Sequence, residues 1–415
     1  MSPRVCVVTA GHLATCPRML KAADALYETG YDVRVVSAKH TPWAGEADRE
    51  LRQRRAWRWT LVDYDRESAP GTYLRTGIRR RAAQRSVEAI GPLRAPLPLA
   101  ARAFSRVHAE LRRAILAEPA DFIYGGTTGA LAAIAEAAGR ARVPYALDLE
   151  DFHSAEQVDT GPGQVANRLA ERIERVVLPG AAFLTTSSAS IARAYEQKYA
   201  VCPITIHNTF PLPPRPPASV PHDGAGLRLC WFSQTIGPHR GLEDAVRAMG
   251  IARLAGELHL RGREGGCYLT ELRELASDVA PRLAVLHHQP SSPDAMIEVC
   301  HGYDVGLALE RPEPLNRALC QTNKAFTYLL AGLAIAFSDT PGQRPLAADL
   351  GAAALLYKPG DVSTLAAGLK RWADDTQSLT AAKVAAWEAA RRRWHWEHQE
   401  ERGALLRVVK AVLGR

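Results

Sequence analysis

Two cations in the second half of the chain have the type and placement to hold a phosphate. Arg240 stands near the end of Ser233-Gln234-Thr235-Ile236-Gly237-Pro238-His239-Arg240-Gly241, and Lys324 follows Asn323 at the start of an apolar helical run. A guanidinium fork matches two phosphate oxygens, and an ammonium adds a point charge. Small residues such as Ser233 and Gly237 let the backbone approach a ligand. The pair suits a diphosphate whose negative charge grows as a bond to it breaks. The plain alternative is two surface cations at helix starts, where they oppose the helix dipole unless an anion is bound. Glu310, Glu313 and Asn316 precede the lysine. Either glutamate holds ligand hydroxyls, or the segment is an ordinary loop made by Pro312 and Pro314.

The first half carries a second polar group, Asp148-Leu149-Glu150-Asp151-Phe152-His153, at a strand end. Three readings stand side by side: a metal held in an Asp-x-Asp-like manner, a polar group in which Glu150, Asp151 or His153 positions a reactant, and helix capping, which Asp does well. His12 and Arg18 follow the first strand. One of them touches a substrate, or Arg18 is simply a charged residue in a first helical turn.

These residues need a frame of strands and helices. Residues 5–9 read as a buried parallel strand, a helix with Met19, Ala22, Ala23 and Leu26 on one face follows, and residues 32–37 form a second strand. This is the start of a doubly wound domain. Gly11 stands alone, so the dinucleotide fingerprint is absent. Alternation continues through strands at 121–124, 144–149, 182–186 and 204–207. Residues 211–226 hold six prolines and two glycines, the clearest linker. Strands at 227–232, 257–260, 284–288, 304–309, 333–337 and 353–357 then build a second domain, with Gly262 opening a glycine-rich loop. Phe326, Leu329, Leu330 and Leu333 give the Lys324 helix an apolar face, and Gly332 ends it. After Asp375 comes a helical tail whose Trp394 and Trp396 read as packing residues rather than an aromatic ligand platform. The domains are expected at 1–210 and 227–380, with 211–226 as hinge and 381–415 packing back toward the first. Ligands are expected at the carboxyl ends of both sheets, in the cleft between the domains.

Composition narrows the setting. At 415 residues, two domains are expected. The seven cysteines form no Cys-x-x-Cys pair and are odd in number, which argues against a disulfide framework or a zinc site and for a reducing compartment. The amino end reads as a strand rather than a signal peptide, and no run of apolar residues spans a membrane. Residues 46–117 read as an arginine-rich helical insertion, with sixteen arginines and no lysine between Arg49 and Arg113. Tyr73, Leu74, Ile78, Val87 and Ile90 interleave with them. This segment either docks on an anionic membrane or grips an acidic acceptor, or it is a solvated face over the first sheet. Aromatic interleaving is too sparse for nucleic-acid binding, and no recognition motif appears.

At this point the second domain resembles a known family. Phe232 to Gly241 followed by Leu242-Glu243 is similar to the first loop of the nucleotide-sugar domain of retaining GT-B-fold glycosyltransferases, family 4. Asn323-Lys324-Ala325-Phe326-Thr327-Tyr328 resembles that family's Pro-Asn-Lys-x-Phe-Glu-Tyr segment. Asp304-Val305-Gly306-Leu307 and Tyr357-Lys358-Pro359-Gly360-Asp361 are similar to further family segments. The resemblance implies two Rossmann-like domains and transfer of a sugar from a nucleotide diphosphate sugar with retention. It implies no metal and no cofactor beyond the donor. Arg240 and Lys324 take the diphosphate, joined in donor binding by Ser233, Gly237, Gly262, Asn323, Thr327 and Glu313. Asn208 matches the asparagine before the hinge. His12, Arg18 and His153 fall on the acceptor side, and Glu150 and Asp151 near the reacting sugar. The acceptor is expected to be a glycan, a lipid-linked sugar or a small molecule, met in the cytoplasm or at the inner face of the cell membrane. Four positions depart from the family: Leu319 and Thr327 stand where it has paired glutamates, Thr235 where it has arginine, and Glu150 where histidine is usual. A non-catalytic relative that binds nucleotide or lipid is the alternative.

Overall fold

The computed structural model describes residues 2–217, 226–292 and 295–414. Residues 218–225 of the expected hinge lie outside them. The chain forms two compact units. One comprises Met1–His207, Pro314–Asn316 and Arg402–Arg415, and the other Asn208–Glu313 and Arg317–Glu401.

The first unit is built on β1 (Arg4–Thr9), β2 (Asp32–Lys39), β3 (Arg58–Asp63), β4 (Phe122–Gly126), β5 (Tyr145–Asp148), β6 (Leu184–Thr186) and β7 (Ile204–Thr205). Their order is β3-β2-β1-β4-β5-β6-β7, and each neighbouring pair is parallel. Val5 to Val8 are buried without polar alternation, as a strand covered on both faces requires. The chain leaves β1 toward β2 and β4 toward β5, so the strand order reverses between β1 and β4, where doubly wound sheets open a crevice. Helix Arg402–Leu413 belongs to this unit: Leu405 and Val409 are buried and Arg402 reaches Glu28 at 2.9 Å.

The arginine-rich segment differs from the expected helical insertion. Pro42–Gln53 is a helix, but Arg58–Asp63 is a sheet strand paired with β2. Trp59, Thr60 and Val62 are strand formers. The surrounding arginines mask that pattern in the sequence. Helices Pro70–Ile90, Leu97–Phe104 and His108–Leu116 follow, with Gly91 at φ +85° and Pro92 making the first bend.

The second unit holds β8 (Leu227–Ile236), β9 (Gly256–Glu264), β10 (Leu283–His288), β11 (Val305–Ala308), β12 (Ala334–Ser338) and β13 (Ala354–Tyr357). They lie in the order β10-β9-β8-β11-β12-β13, again all parallel. One core face gathers Trp231, Leu258, Leu307 and Trp372, and the other Cys230, Phe326, Ile335 and Phe337. β8 and β9 outrun the expected 227–232 and 257–260. A bulge between Phe232 and Thr235 lets pairing resume at Thr235 with Arg263. Ser233 and Gly262 therefore lie in strands, not in loops. Gly262 has φ +152°, and a Cβ there would sit 2.4 Å from the Ser233 carbonyl oxygen, so the bulge closes only over glycine. Trp394 and Trp396 pack as expected, both under 10% exposed, with Trp394 Nε1 donating to Asp349 at 2.9 Å.

Candidate functional site

In the second unit, helix Asn323–Leu330 starts at Thr322 and carries Lys324 in its first turn. Gly332 at φ +65° ends it, and Leu333 N–H reaches back to the Tyr328 carbonyl at 3.0 Å. Tyr328 fixes the helix against the sheet. Its hydroxyl donates to the Cys230 carbonyl at 3.1 Å, and its ring fills the space over Gly306, where a Cβ would lie 2.2 Å from the ring. This explains a glycine inside β11.

The Lys324 ammonium donates to Glu310 Oε1 at 2.8 Å and Thr322 Oγ1 at 3.1 Å, and lies 5.6 Å from the Trp231 ring centroid. Arg240 approaches the other Glu310 oxygen at 3.9 Å. The expected pair is thus brought together around one carboxylate. Arg317 adjoins them, donating to the His239 carbonyl at 2.7 Å. Burial, then the neighbouring Arg240, lowers the Arg317 guanidinium from its ordinary value. Burial alone raises a carboxyl, yet Lys324, with Arg240 and Arg317, holds Glu310 below the ordinary range. The loop carrying Arg240 is held close to β11: His239 has φ +62°, Gly241 has φ +74°, and a Cβ on Gly241 would meet the Leu309 carbonyl at 2.6 Å.

Of the other donor-side residues, Gly237 has open space beside it, and Ser233 touches Gly262 across the bulge. Thr327 is buried with its hydroxyl 3.4 Å from the Asn323 carbonyl, turned back on its own helix. Glu313 is exposed in the loop after β11. Asn208 is fully buried. Sequence reasoning weighed Glu310 only as a possible sugar contact and did not single out Arg317. Their position beyond a strand end was a weak signal, because both act through tertiary contacts.

In the first unit, Arg18 is a structural residue. Its Nε and Nη2 donate to the two Asp148 oxygens at 2.7 Å each, and Nη1 donates to the Ile206 carbonyl at 2.5 Å. Thr185 Oγ1 adds a bond to Asp148 at 2.8 Å. Both Asp148 oxygens are thereby engaged by Arg18. His12 is also buried: Nδ1 meets Asp48 at 2.7 Å, while the backbone N–H groups of His40 and Thr41 donate to Nε2 at 3.1 and 3.2 Å. Two donors at Nε2 place the ring proton on Nδ1. His12 and Arg18 thus hold loops together, and neither presents a free edge to a substrate.

The segment after β5 is different. Glu150 is half-buried, and burial followed by the neighbouring Asp151 pushes its carboxyl up to about 7. His153 is buried, with Nδ1 bonded to Glu156 and Nε2 without a partner. Burial opposes its charge, but Glu156 raises it to about 9. Glu174 stands behind this segment: the hydroxyls of Tyr195 and Tyr199 lie 2.6 and 2.5 Å from its two oxygens, and Tyr195 also receives the His153 N–H at 3.2 Å. Asn316, which counts with this unit, accepts from Phe152 N–H at 2.7 Å and donates to Asp151 at 3.0 Å.

Residues 17–209 match the model of the glycosyl transferase 4-like domain. No curated protein sequence matches the chain. Among solved structures, the chain is similar to Anabaena HepE in complex with UDP-glucose, at 15% identity over 100% of each chain and a TM-score of 0.64. It is similar to the sucrose-phosphate synthase of Thermosynechococcus elongatus, at 14% identity over 99% of each chain and a TM-score of 0.64. A glycosyltransferase of Rickettsia africae also aligns over 99% of each chain, at 9% identity and a TM-score of 0.64. At these identities the likeness carries the fold, two doubly wound parallel sheets of the GT-B type. Residues 17–209 are thus similar to a glycosyl transferase 4-like domain, and the fold throughout is of the GT-B type.

Proposed function

We propose that the protein transfers a sugar from a nucleotide diphosphate sugar to an acceptor hydroxyl with retention of configuration. The convergence of Arg240 and Lys324 on Glu310, 3.9 and 2.8 Å away, carries this reading. It is a buried, cationic cradle at a helix start beside the carboxyl ends of β8 and β11, the kind of place where a diphosphate binds. Cations held there stabilise charge building on the leaving group, the service a metal ion provides elsewhere. HepE, solved with UDP-glucose, supports the donor class. Glu150, with its carboxyl at about 7, suits proton handling or positioning on the acceptor side. Thermal shifts with a panel of nucleotide diphosphate sugars test the donor: at about 100 times its dissociation constant a ligand stabilises by roughly 2.7 kcal/mol. Lys324→Ala is expected to lower turnover roughly 10²–10³-fold. Wild-type transfer by this variant sinks the site assignment. Binding of donor with no release of nucleoside diphosphate favours the non-catalytic alternative, to which Leu319 and Thr327 lend weight.

The acceptor is proposed to be lipid-linked or a growing glycan, met at the cytoplasmic face of a membrane. No described helix is long and apolar enough to cross one. Helix Pro70–Ile90 supports docking instead: Leu74 is 62% and Ile78 57% exposed, one turn apart, and Arg81 and Arg85 continue the same exposed stripe. Arginines beside exposed aliphatic residues suit an anionic lipid surface. Salt-sensitive sedimentation with phosphatidylserine vesicles, lost in Leu74→Glu/Ile78→Glu, is expected. Equal binding to phosphatidylcholine vesicles, or none to either, removes the docking role.

A further inference from the structure

We propose that Glu310 is the built-in counter-anion of the phosphate cradle, a positioning residue that holds Lys324 and Arg240 for the diphosphate and is displaced from part of their charge when the diphosphate binds. The proposal rests on the donor reading above. It answers the gap left by Leu319 and Thr327, because it supplies a carboxylate to this site from the segment after β11.

Three observations carry it. First, the Glu310 side chain is only 7% and that of Lys324 only 10% exposed. A carboxylate and an ammonium so placed each need the other, since either alone is a buried unpaired charge. Second, Glu310 is aimed by rigid structure. Its carbonyl accepts from Ser338 Oγ at 2.6 Å, and Gln343 Nε2 donates both to that hydroxyl and to the Ala308 carbonyl at 2.9 Å. The ends of β11 and β12 are thereby tied together directly behind the carboxylate. Third, the charges do not cancel. Lys324, Arg240 and Arg317 set three positive charges against the single one of Glu310, leaving two. That matches the two ionised phosphate groups of a diphosphate diester. Arg240 has the longer contact, 3.9 Å, and a side chain 30% exposed, so it can turn to a ligand while Lys324 stays in place.

The test uses the full chain and inorganic pyrophosphate, with affinity from calorimetry and stability from thermal shift. Glu310→Gln keeps size and removes charge. The expected result is a lower melting temperature without ligand and about tenfold tighter pyrophosphate binding, because a cation formerly compensated is left for the anion. Glu310→Asp keeps the charge and is expected to bind pyrophosphate less tightly than Glu310→Gln. Unchanged or weaker binding by Glu310→Gln overturns the counter-anion role. Should Glu310→Gln not fold, Glu310→Gln/Lys324→Gln removes both charges; recovered folding with lost pyrophosphate binding is expected, and failure to recover overturns the pairing. If neither pyrophosphate nor any nucleoside diphosphate binds the wild type, the donor reading itself falls, an outcome distinct from all of these.

Discussion

Replacing Asp148 by Asn separates a structural Arg18 from one that touches substrate. The Arg18 and Asp148 side chains are 5% and 2% exposed. The carboxylate accepts two guanidinium bonds of 2.7 Å and one of 2.8 Å from Thr185, and Arg18 also donates to the Ile206 carbonyl. Asn is nearly isosteric but neutral, and its amide nitrogen turns a donor toward a donor. Leaving a buried guanidinium without its counter-charge costs about 3–5 kcal/mol. For a unit of this size each kcal/mol moves the melting temperature by about 2–4 °C, so a fall of roughly 6–20 °C is expected. Urea unfolding of the full chain gives the energy, and hydrogen exchange over β4 and β5 locates it. Arg18→Lys is expected to recover little, because a point charge cannot bridge both oxygens. If Asp148→Asn unfolds within about 1 kcal/mol of the wild type, the pair is not buried and compensated as described. If Arg18→Ala leaves stability intact and harms only transfer, Arg18 is a substrate contact after all.

Two further outcomes follow from the geometry. Gly241→Ala places a Cβ 2.6 Å from the Leu309 carbonyl at a φ of +74°, so a loss of about 1–3 kcal/mol and weaker nucleoside diphosphate binding are expected; Gly237→Ala meets nothing within 4 Å and is the control, expected to unfold as the wild type in urea. His153, raised to about 9 beside Glu156, adds stability that is full below its ordinary value near 6.5 and is lost as pH rises toward 9. Stability measured across that window is expected to decline, and His153→Gln to flatten the slope; an unchanged slope rules out the pair as its cause.

Much of the fold was legible because parallel strands buried on both faces leave continuous apolar runs. Val5 to Val8 and Ala334 to Phe337 are such runs. The helix of Lys324, its stop at Gly332 and the strand beyond it followed from local rules of periodicity and handedness. β3 was not legible, since its arginine-rich setting hides a short edge strand whose pairing with β2 is a long-range event. The lengths of β8 and β9 were missed for a related reason: a bulge over Gly262 restores pairing after a polar stretch that reads as a loop.

By itself, the sequence determined two α/β domains and singled out Arg240 and Lys324 as the cations proposed to hold a phosphate, because apolar periodicity and the residues at strand ends are local properties. Only the tertiary structure decided what each charge does. Arg18 and Lys324 are both cations in the first turn of a helix. One is consumed by two oxygens of Asp148 and a carbonyl, while the other shares Glu310 with Arg240 and leaves positive charge over. Burial and counter-charge set a side chain's function, and both arise from residues far apart in the chain that folding brings within about 3–4 Å of one another.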